Sequence, residues 1–339
     1  MNLIDVAKQF ATPEACNDFL EQMRWPDGAE CVHCDSKRVS KYVKQAGTRA
    51  RKNPKTGEVE TKAVPARILY VCLDCKKQFS VTEGTIFNDT HLPLDKWFMA
   101  VALMVNAKKG LLAMQLKRDL KTACKISWYL SHRIRKSVGL CELAGEEPLT
   151  GTVEMDETYM GSNKYDKRRK RGKYEKEPVF GMVARDGKAK IFHVPQMNRH
   201  SIASKITDNI AIDASAIYTG ESVLYKRMHQ GVDASKHAIV NHSAKEWVRG
   251  DVHTGTVDGY WGLLERGVIG SFHQISVKHL HRYLSEFQFR WNNRKHQEIF
   301  MLVIAALVIG SALPYSELIK SIDEQPSAGP EAELDGEVF

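Results

Sequence analysis

Apolar positions recur at two different periods along this chain of 339 residues, and the change of period divides it. In 94–143 they return every three or four residues, as Trp97, Phe98, Val101, Ala102 and Val105, then Ile126, Tyr129, Leu130, Ile134 and Val138. That spacing lines one face of a helix, so the stretch predicts a short helix opened by Gly110 and a longer basic one after it. Helices joined by tight turns suit a helix-turn-helix and a plain helical packing domain equally. Residues 1–24 read as a short amphipathic helix, with Phe19, Leu20 and Met23 on one face and Thr12-Pro-Glu14 opening a turn. From Thr152 the runs become short and strand-like. Segments 153–160, 179–185 and 189–194 predict three closely spaced strands. Helical spacing returns at 202–212, short strands at 216–219 and 238–240, and closing helices at 257–266 and 277–290.

The order β-β-β-α-β-α-β-α predicts an α/β fold with an RNase H-like core, a mixed five-stranded sheet flanked by helices, because few other layer folds lead with three strands. The tail after Ile322 is acidic and polar and reads as disordered. The apolar run 301–313 is too short to cross a bilayer, and the N-terminus lacks the basic-then-apolar pattern of a signal peptide. A cytoplasmic, nucleoid-associated protein without a membrane partner is the expectation.

Four of the seven cysteines form two C-x2-C knuckles, Cys31-Val-His-Cys34 and Cys72-Leu-Asp-Cys75. Two such turns place four thiolates on one tetrahedral ion, so structural Zn²⁺ is expected, with the ribbon folding only when metal-bound. The pattern suits a reducing compartment better than a disulfide framework. His33 is surplus to the ion, and Cys16, Cys124 and Cys141 read as small core residues. The 37 residues between the knuckles exceed what a compact ribbon needs, and 41–67 reads as an exposed basic hairpin or loop.

The formal charge of +8 is uneven. Residues 37–67 carry ten Lys/Arg against two Glu, and 164–176 carry eight against two acids. The second run, with Lys164, Lys167, Arg168, Arg169, Lys170, Arg171 and Lys173, falls between the first two strands, where phosphate contacts add affinity without reading bases. Arg133, Arg135 and Lys136 are further candidates for a nucleic-acid backbone.

Asp156 follows Val153 and Met155 in an apolar strand, where an ionised carboxylate is costly unless it meets a cation or a strong donor. Strand pattern alone leaves metal ligation and an ordinary strand-end aspartate equally open. The motifs decide between them. Val153-Glu-Met-Asp-Glu-Thr-Tyr-Met-Gly161, Tyr218-Thr-Gly-Glu-Ser-Val-Leu-Tyr225, Asn241-His-Ser243, the stretch 252–273 and the stretch 278–294 resemble the ISXO-like insertion-sequence transposases. The likeness spans about residues 19–300.

That resemblance implies a zinc ribbon ahead of a DDE, integrase-like core whose acids hold two Mg²⁺ ions for in-line phosphodiester displacement. It implies double-stranded DNA partners, namely element ends and target, and a homo-oligomer able to handle two ends. It divides the chain into an N-terminal helix and zinc-ribbon domain at 1–92, a helical segment at 93–150, the DDE core at 151–300, a helical segment at 301–322 and the tail at 323–339.

Asp156 matches the family's first acid. The second is missing, because Gly220 stands where the family has aspartate. Gly255 replaces an asparagine, Asp258 is one methylene shorter than the usual third acid, and Glu265 reverses an expected Lys or Arg. Glu221, adjacent to Gly220, should point away from the metals, since side chains alternate along a strand. Asp156 and Asp258 are therefore the expected catalytic and Mg²⁺-binding pair, with Asp251 as a helper. Two readings follow: a transposase with weakened catalysis, and a non-catalytic copy that still binds DNA. A zinc-ribbon transcription factor leaves the second half of the chain unexplained, and a nuclease on RNA hybrids leaves the ribbon unexplained.

His229, His237, His242 and His253 lack a metal-ligand spacing and read as packing or phosphate-contact residues. Trp261 and Trp291 read as core, and Glu286 with Arg290 fits an exposed ion pair as well as any active-site role.

Overall fold

The computed structural model describes residues 1–52, 57–64, 66–144, 147–160, 176–185, 187–225 and 234–320, and these form two compact units. The basic run 164–173 and the tail 323–339 lie outside the described residues.

Unit 1 comprises Met1–Ala102 with Phe300–Ala312. It opens with two helices rather than the one expected, α1 (Leu3–Gln9) and α2 (Pro13–Arg24). The break has a local cause. Thr12 precedes a proline and is extended at ψ 150°, its hydroxyl accepts the Ala15 N–H at 3.2 Å, and Pro13 takes the first helical position, where no N–H is needed. Strand β1 (Val39–Lys44) is followed by β2 (Gly47–Lys52) and β3 (Val59–Val64), then β4 (Arg67–Cys72) and β5 (Gln78–Phe79). β1, β4 and β5 form an antiparallel sheet around Trp25, Tyr70 and Phe79, with the last two rings stacked at 5.4 Å. β2 and β3 pair only with each other, from Gly47↔Val64 to Lys52↔Val59. The excursion between the knuckles is thus a two-stranded arm. Helix α3 (Leu94–Asn106) buries Trp97, Phe98, Val101 and Ala102. Phe98 joins Phe10, Phe19 and Phe300 in an aromatic core with ring separations of 4.7–6.2 Å.

Unit 2 comprises Leu103–Ile299 with the residues after Ala312. Helices α4 (Ala113–Leu120) and α5 (Cys124–Ala144) meet at a turn where Lys121 is left-handed, φ 52°. α5 is buried through its middle turns, and its exposed residues cluster in the first turn, as suits a packing helix. Ile126, expected on its apolar face, is exposed there, and so is Cys124. Cys141 is only half-buried, so Cys16 alone of the three extra cysteines is a core residue.

Five strands then form one mixed sheet: β6 (Thr152–Met160), β7 (Glu177–Ala184), β8 (Ala189–His193), β9 (Ala216–Thr219) and β10 (His237–Ile239). Their spatial order is β10-β9-β6-β7-β8, with β6, β9 and β10 parallel and β7 and β8 antiparallel to their neighbours. This is the expected RNase H-like layer. Helix α6 (Arg199–Asn209) covers one face, burying Ile202 and Ile206 with Val153, Met155, Phe180 and Met182. After a small hairpin of β11 (Val248–Arg249) and β12 (Val252–His253), α7 (Gly255–Gly267) and α8 (Leu280–Asn292) cover the other face. α9 (Ile299–Ile309), the apolar helix that carries Phe300, belongs to unit 1, and α10 (Tyr315–Ile319) follows. Among the described residues no helix is long and apolar enough to cross a membrane.

Candidate metal centre and carboxylate site

The knuckles converge. Cys31, Cys34, Cys72 and Cys75 bring their sulfurs within 4.8 Å of one another, with the Cys31–Cys75 and Cys34–Cys72 pairs at 3.6 Å. Tetrahedral thiolates 2.3 Å from zinc stand about 3.8 Å apart, so the quartet fits a Zn²⁺ ion with little movement. Backbone N–H groups of Cys75 and Asp74 reach Cys72 Sγ at 3.4 Å and hold that thiol down at about 6, prepared for the thiolate form. The His33 ring is turned to Glu83, at 3.5 Å, while its backbone N–H reaches Cys31 Sγ at 3.4 Å.

Strand alternation builds the second site. Val153 and Met155 point into the α6 face of β6, so Glu154 and Asp156 share the opposite face, under α7. Asp156 Oδ2 accepts the indole N–H of Trp261 at 3.0 Å. Trp261 can lie flat on the sheet because Gly181, paired with Asp156 across β6 and β7, has no side chain; a Cβ there would meet the indole at 2.6 Å. Burial, then the charges of Glu157 and Asp258, push the Asp156 carboxyl up to about 7. Asp258 sits in the first turn of α7, accepts the Thr254 hydroxyl at 3.2 Å and is likewise raised, chiefly by burial. Asp258 lies near enough for its charge to act on Asp156, and both carboxyls are raised from the ordinary aspartate value, each chiefly by burial.

Their register also locates Gly220. The last β6–β9 pair is Met155↔Thr219, which puts Gly220 level with Asp156 and a Cβ there on the same face. That Cβ would meet nothing within 4 Å. Glu221 is committed elsewhere, accepting the N–H of Ser243 at 3.2 Å and its hydroxyl. Asp251 contributes its backbone carbonyl, which accepts from Arg185 at 2.7 Å. Among the described residues the cysteine quartet is the one His/Cys/Asp/Glu group with three or more ligand atoms so close together. Asp156 and Asp258 offer the hard oxygen donors that Mg²⁺ takes.

Comparison with known proteins finds two matching domains. Residues 148–292 match the ISXO2-like transposase domain, and residues 11–78 match the transposase zinc-ribbon domain. The chain belongs to the ISXO2-like transposases. It is also 24% identical, over 84% of its length and 92% of the relative's, to an uncharacterized protein in transposable element ISH50 of Halobacterium salinarum. This insertion-sequence transposase therefore pairs a structural zinc ribbon with an RNase H-like DDE domain.

Within that DDE domain the largest omission from the sequence reading is Glu154. It is fully buried, yet its carboxylate accepts the N–H groups of Thr256 (2.6 Å) and Val257 (3.1 Å), the Thr256 hydroxyl (2.9 Å) and Arg185 Nε (2.7 Å). Glu154 thereby closes the N-terminus of α7 and ties to β6 the helix that carries Asp258. Arg185 extends the tie to the carbonyls of Asp251 and His253 and lies over the Tyr218 ring. The signal was present in Val-Glu-Met-Asp, whose alternation puts both acids on one face.

Other expectations change. Arg133 and Arg135 are buried rather than available to DNA; Arg135 Nε meets Glu286 at 2.6 Å, and Arg290 meets the other Glu286 oxygen at 2.5 Å. That pair is no surface ion pair. Burial pulls Glu286 up, but the two guanidiniums outweigh it and hold its carboxyl low. His237 hydrogen-bonds the Thr219 hydroxyl at 2.9 Å, and His253 Nδ1 accepts the Gly255 N–H at 3.2 Å beside Glu154. His242 stacks on Trp247, and His229 lies outside the described residues. Trp261 is core and also orients Asp156; Trp291 packs on Tyr260 at 5.4 Å. Glu265 is exposed on α7, two turns beyond Asp258, and Gly255 opens the helix where a Cβ would touch the His253 ring at 3.4 Å.

Proposed function

We propose that this transposase binds its element's ends as double-stranded DNA and that Asp156 and Asp258 are its catalytic pair. The observation that carries the proposal is the buried Asp156 carboxyl on the α7 side of β6, raised to about 7 by burial and by the charges of Glu157 and Asp258. Mg²⁺ held there supplies activation of a water or 3′-hydroxyl and stabilisation of the leaving oxygen. Trp261 fixes the Asp156 carboxylate through Oδ2, and Thr254 fixes Asp258. Because Asp156 titrates near 7, the ion-ready form grows as pH rises through neutrality. Gly220 withholds one carboxylate, a loss on the order of 10³-fold in rate. Lys164, Lys167, Arg168, Arg169, Lys170, Arg171 and Lys173 follow β6 in the chain and are assigned to phosphate contact. A homo-oligomer holding two ends and then target DNA completes the reading, in the cytoplasm at the nucleoid.

The test is purified protein on DNA carrying the element's own ends, with Mg²⁺ or Mn²⁺, beside Gly220→Asp. The expected result is binding with weak cleavage by the natural chain and a gain of roughly a hundredfold or more in the variant. Binding without cleavage by either protein would leave a non-catalytic DNA-binding copy as the function.

A further inference from the structure

Between β10 and β12 the chain makes a turn that the catalytic reading does not use. Trp247 is 62% exposed there, and one face of its indole lies on the ring of His242, at 4.7 Å and 29° between planes. A single exposed apolar residue is ordinary. This one is built. The Asn241 side chain accepts the Ala244 N–H at 3.0 Å, Glu246 accepts the Asn241 N–H at 3.3 Å, and Ser243 is clamped to Glu221. A loop fixed in this way loses little freedom when something settles on it.

Its position is also informative. His242 Nε2 is 3.5 Å from the Thr254 hydroxyl, which in turn donates to Asp258 at 3.2 Å. The stacked rings are therefore two contacts from a proposed catalytic acid. Lys245 and Arg249, both exposed, lie two residues to either side of Trp247 in the chain; Arg249, on β11, also donates to the Ile239 carbonyl at 3.0 Å and stands 3.7 Å from Glu246.

We propose that Trp247, backed by His242, is a stacking platform for one unpaired nucleobase of the DNA strand at the carboxylate site. The proposal rests on the reading of the chain as a transposase acting on DNA ends. The chemistry selects the ligand: a nucleobase combines a flat π-face with an anionic backbone, matching a flat indole beside two cations. A paired base inside a duplex already has both faces covered. An unpaired one is free to add its face to the stack.

The test uses the full-length zinc-loaded protein in Ca²⁺, with a short blunt duplex of the element's end and the same duplex ending in an unpaired 2-aminopurine. The wild type is expected to bind the unpaired form about tenfold more tightly, quenching its fluorescence. Trp247→Ala should lose both the preference and the quenching, and Trp247→Phe should keep most of each. Three results would overturn the proposal: Trp247→Leu retaining the preference, Trp247→Ala weakening both duplexes equally, or Trp247→Ala lowering the mass on size exclusion, which makes the indole an interface between copies. Wild type that binds neither duplex refutes the DNA-end reading as a whole. Wild type that binds both equally refutes only the platform.

Discussion

Replacing Asp156 by asparagine is expected to stabilise the metal-free fold while ending its response to divalent ions. The ordinary aspartate value is 3.8, and Asp156 titrates at about 7. The folded chain therefore keeps a proton that the unfolded chain gives up, so stability falls as pH rises between about 4 and 7 and the full cost stands above 7. At about 1.4 kcal/mol per pH unit the gap sets an upper figure of about 4 kcal/mol, and solvent screening at this part-exposed side chain brings it to about 2–4 kcal/mol. The asparagine carbonyl would still accept the Trp261 N–H, so little else is lost. Calorimetry of the transition of unit 2 should show the variant melting about 5–10 °C higher at pH 8 and nearly level with wild type at pH 4. The buffer must lack Mg²⁺ but contain no chelator, which would strip the ribbon's zinc. Added Mn²⁺ at pH 8 should raise the wild-type midpoint and leave Asp156→Asn unmoved. A variant less stable than wild type at pH 8, or an advantage that does not change with pH, would refute this account of the site.

Removing zinc with a chelator, or Cys72→Ser, should unfold the ribbon and abolish specific DNA binding while the transition of unit 2 persists; circular dichroism with zinc analysis tests this. Glu154→Ala should cost about 3 kcal/mol and weaken Mn²⁺ binding, because it strands Arg185 and frees the start of α7; Glu154→Gln, which keeps an acceptor for the N–H groups, should cost less by urea denaturation. His279 is buried beside His132, 4.5 Å between rings, and burial lowers it to about 4. The unfolded chain protonates first, so the His279 contribution to stability should drop by about 3 kcal/mol as pH falls from 6.5 to 4, and the difference between wild type and His279→Phe across that range should show it.

Much of this architecture was legible in the chain because its signals are local. The strands of the sheet announce themselves by short apolar runs, and the knuckles by a spacing that only a metal explains. Asp156 stood out as a charge in an apolar strand. What stayed hidden depends on partners remote in sequence. Arg135 looked like a surface cation because the acid that neutralises it, Glu286, lies 151 residues away. Glu154 looked like one more strand residue because its partners at the start of α7 come 102 and 103 residues later. Ile126 fits the helical period, yet it occupies the first turn of α5, where nothing covers it. Period shows which face a residue takes, but not whether another element arrives to bury it.

The open space at Gly220 bears on how this gene can change over time. Its backbone is not in the left-handed region, and a side chain added there meets nothing within 4 Å. Glycine codons lie one nucleotide from those of an acidic residue. The scaffold that would receive the missing acid is intact, so a single base change can supply it without a compensating substitution in the core. On the proposed reading a weakly active copy of this kind stays one substitution from fuller activity, and selection against mobility would have to act each time that base changes.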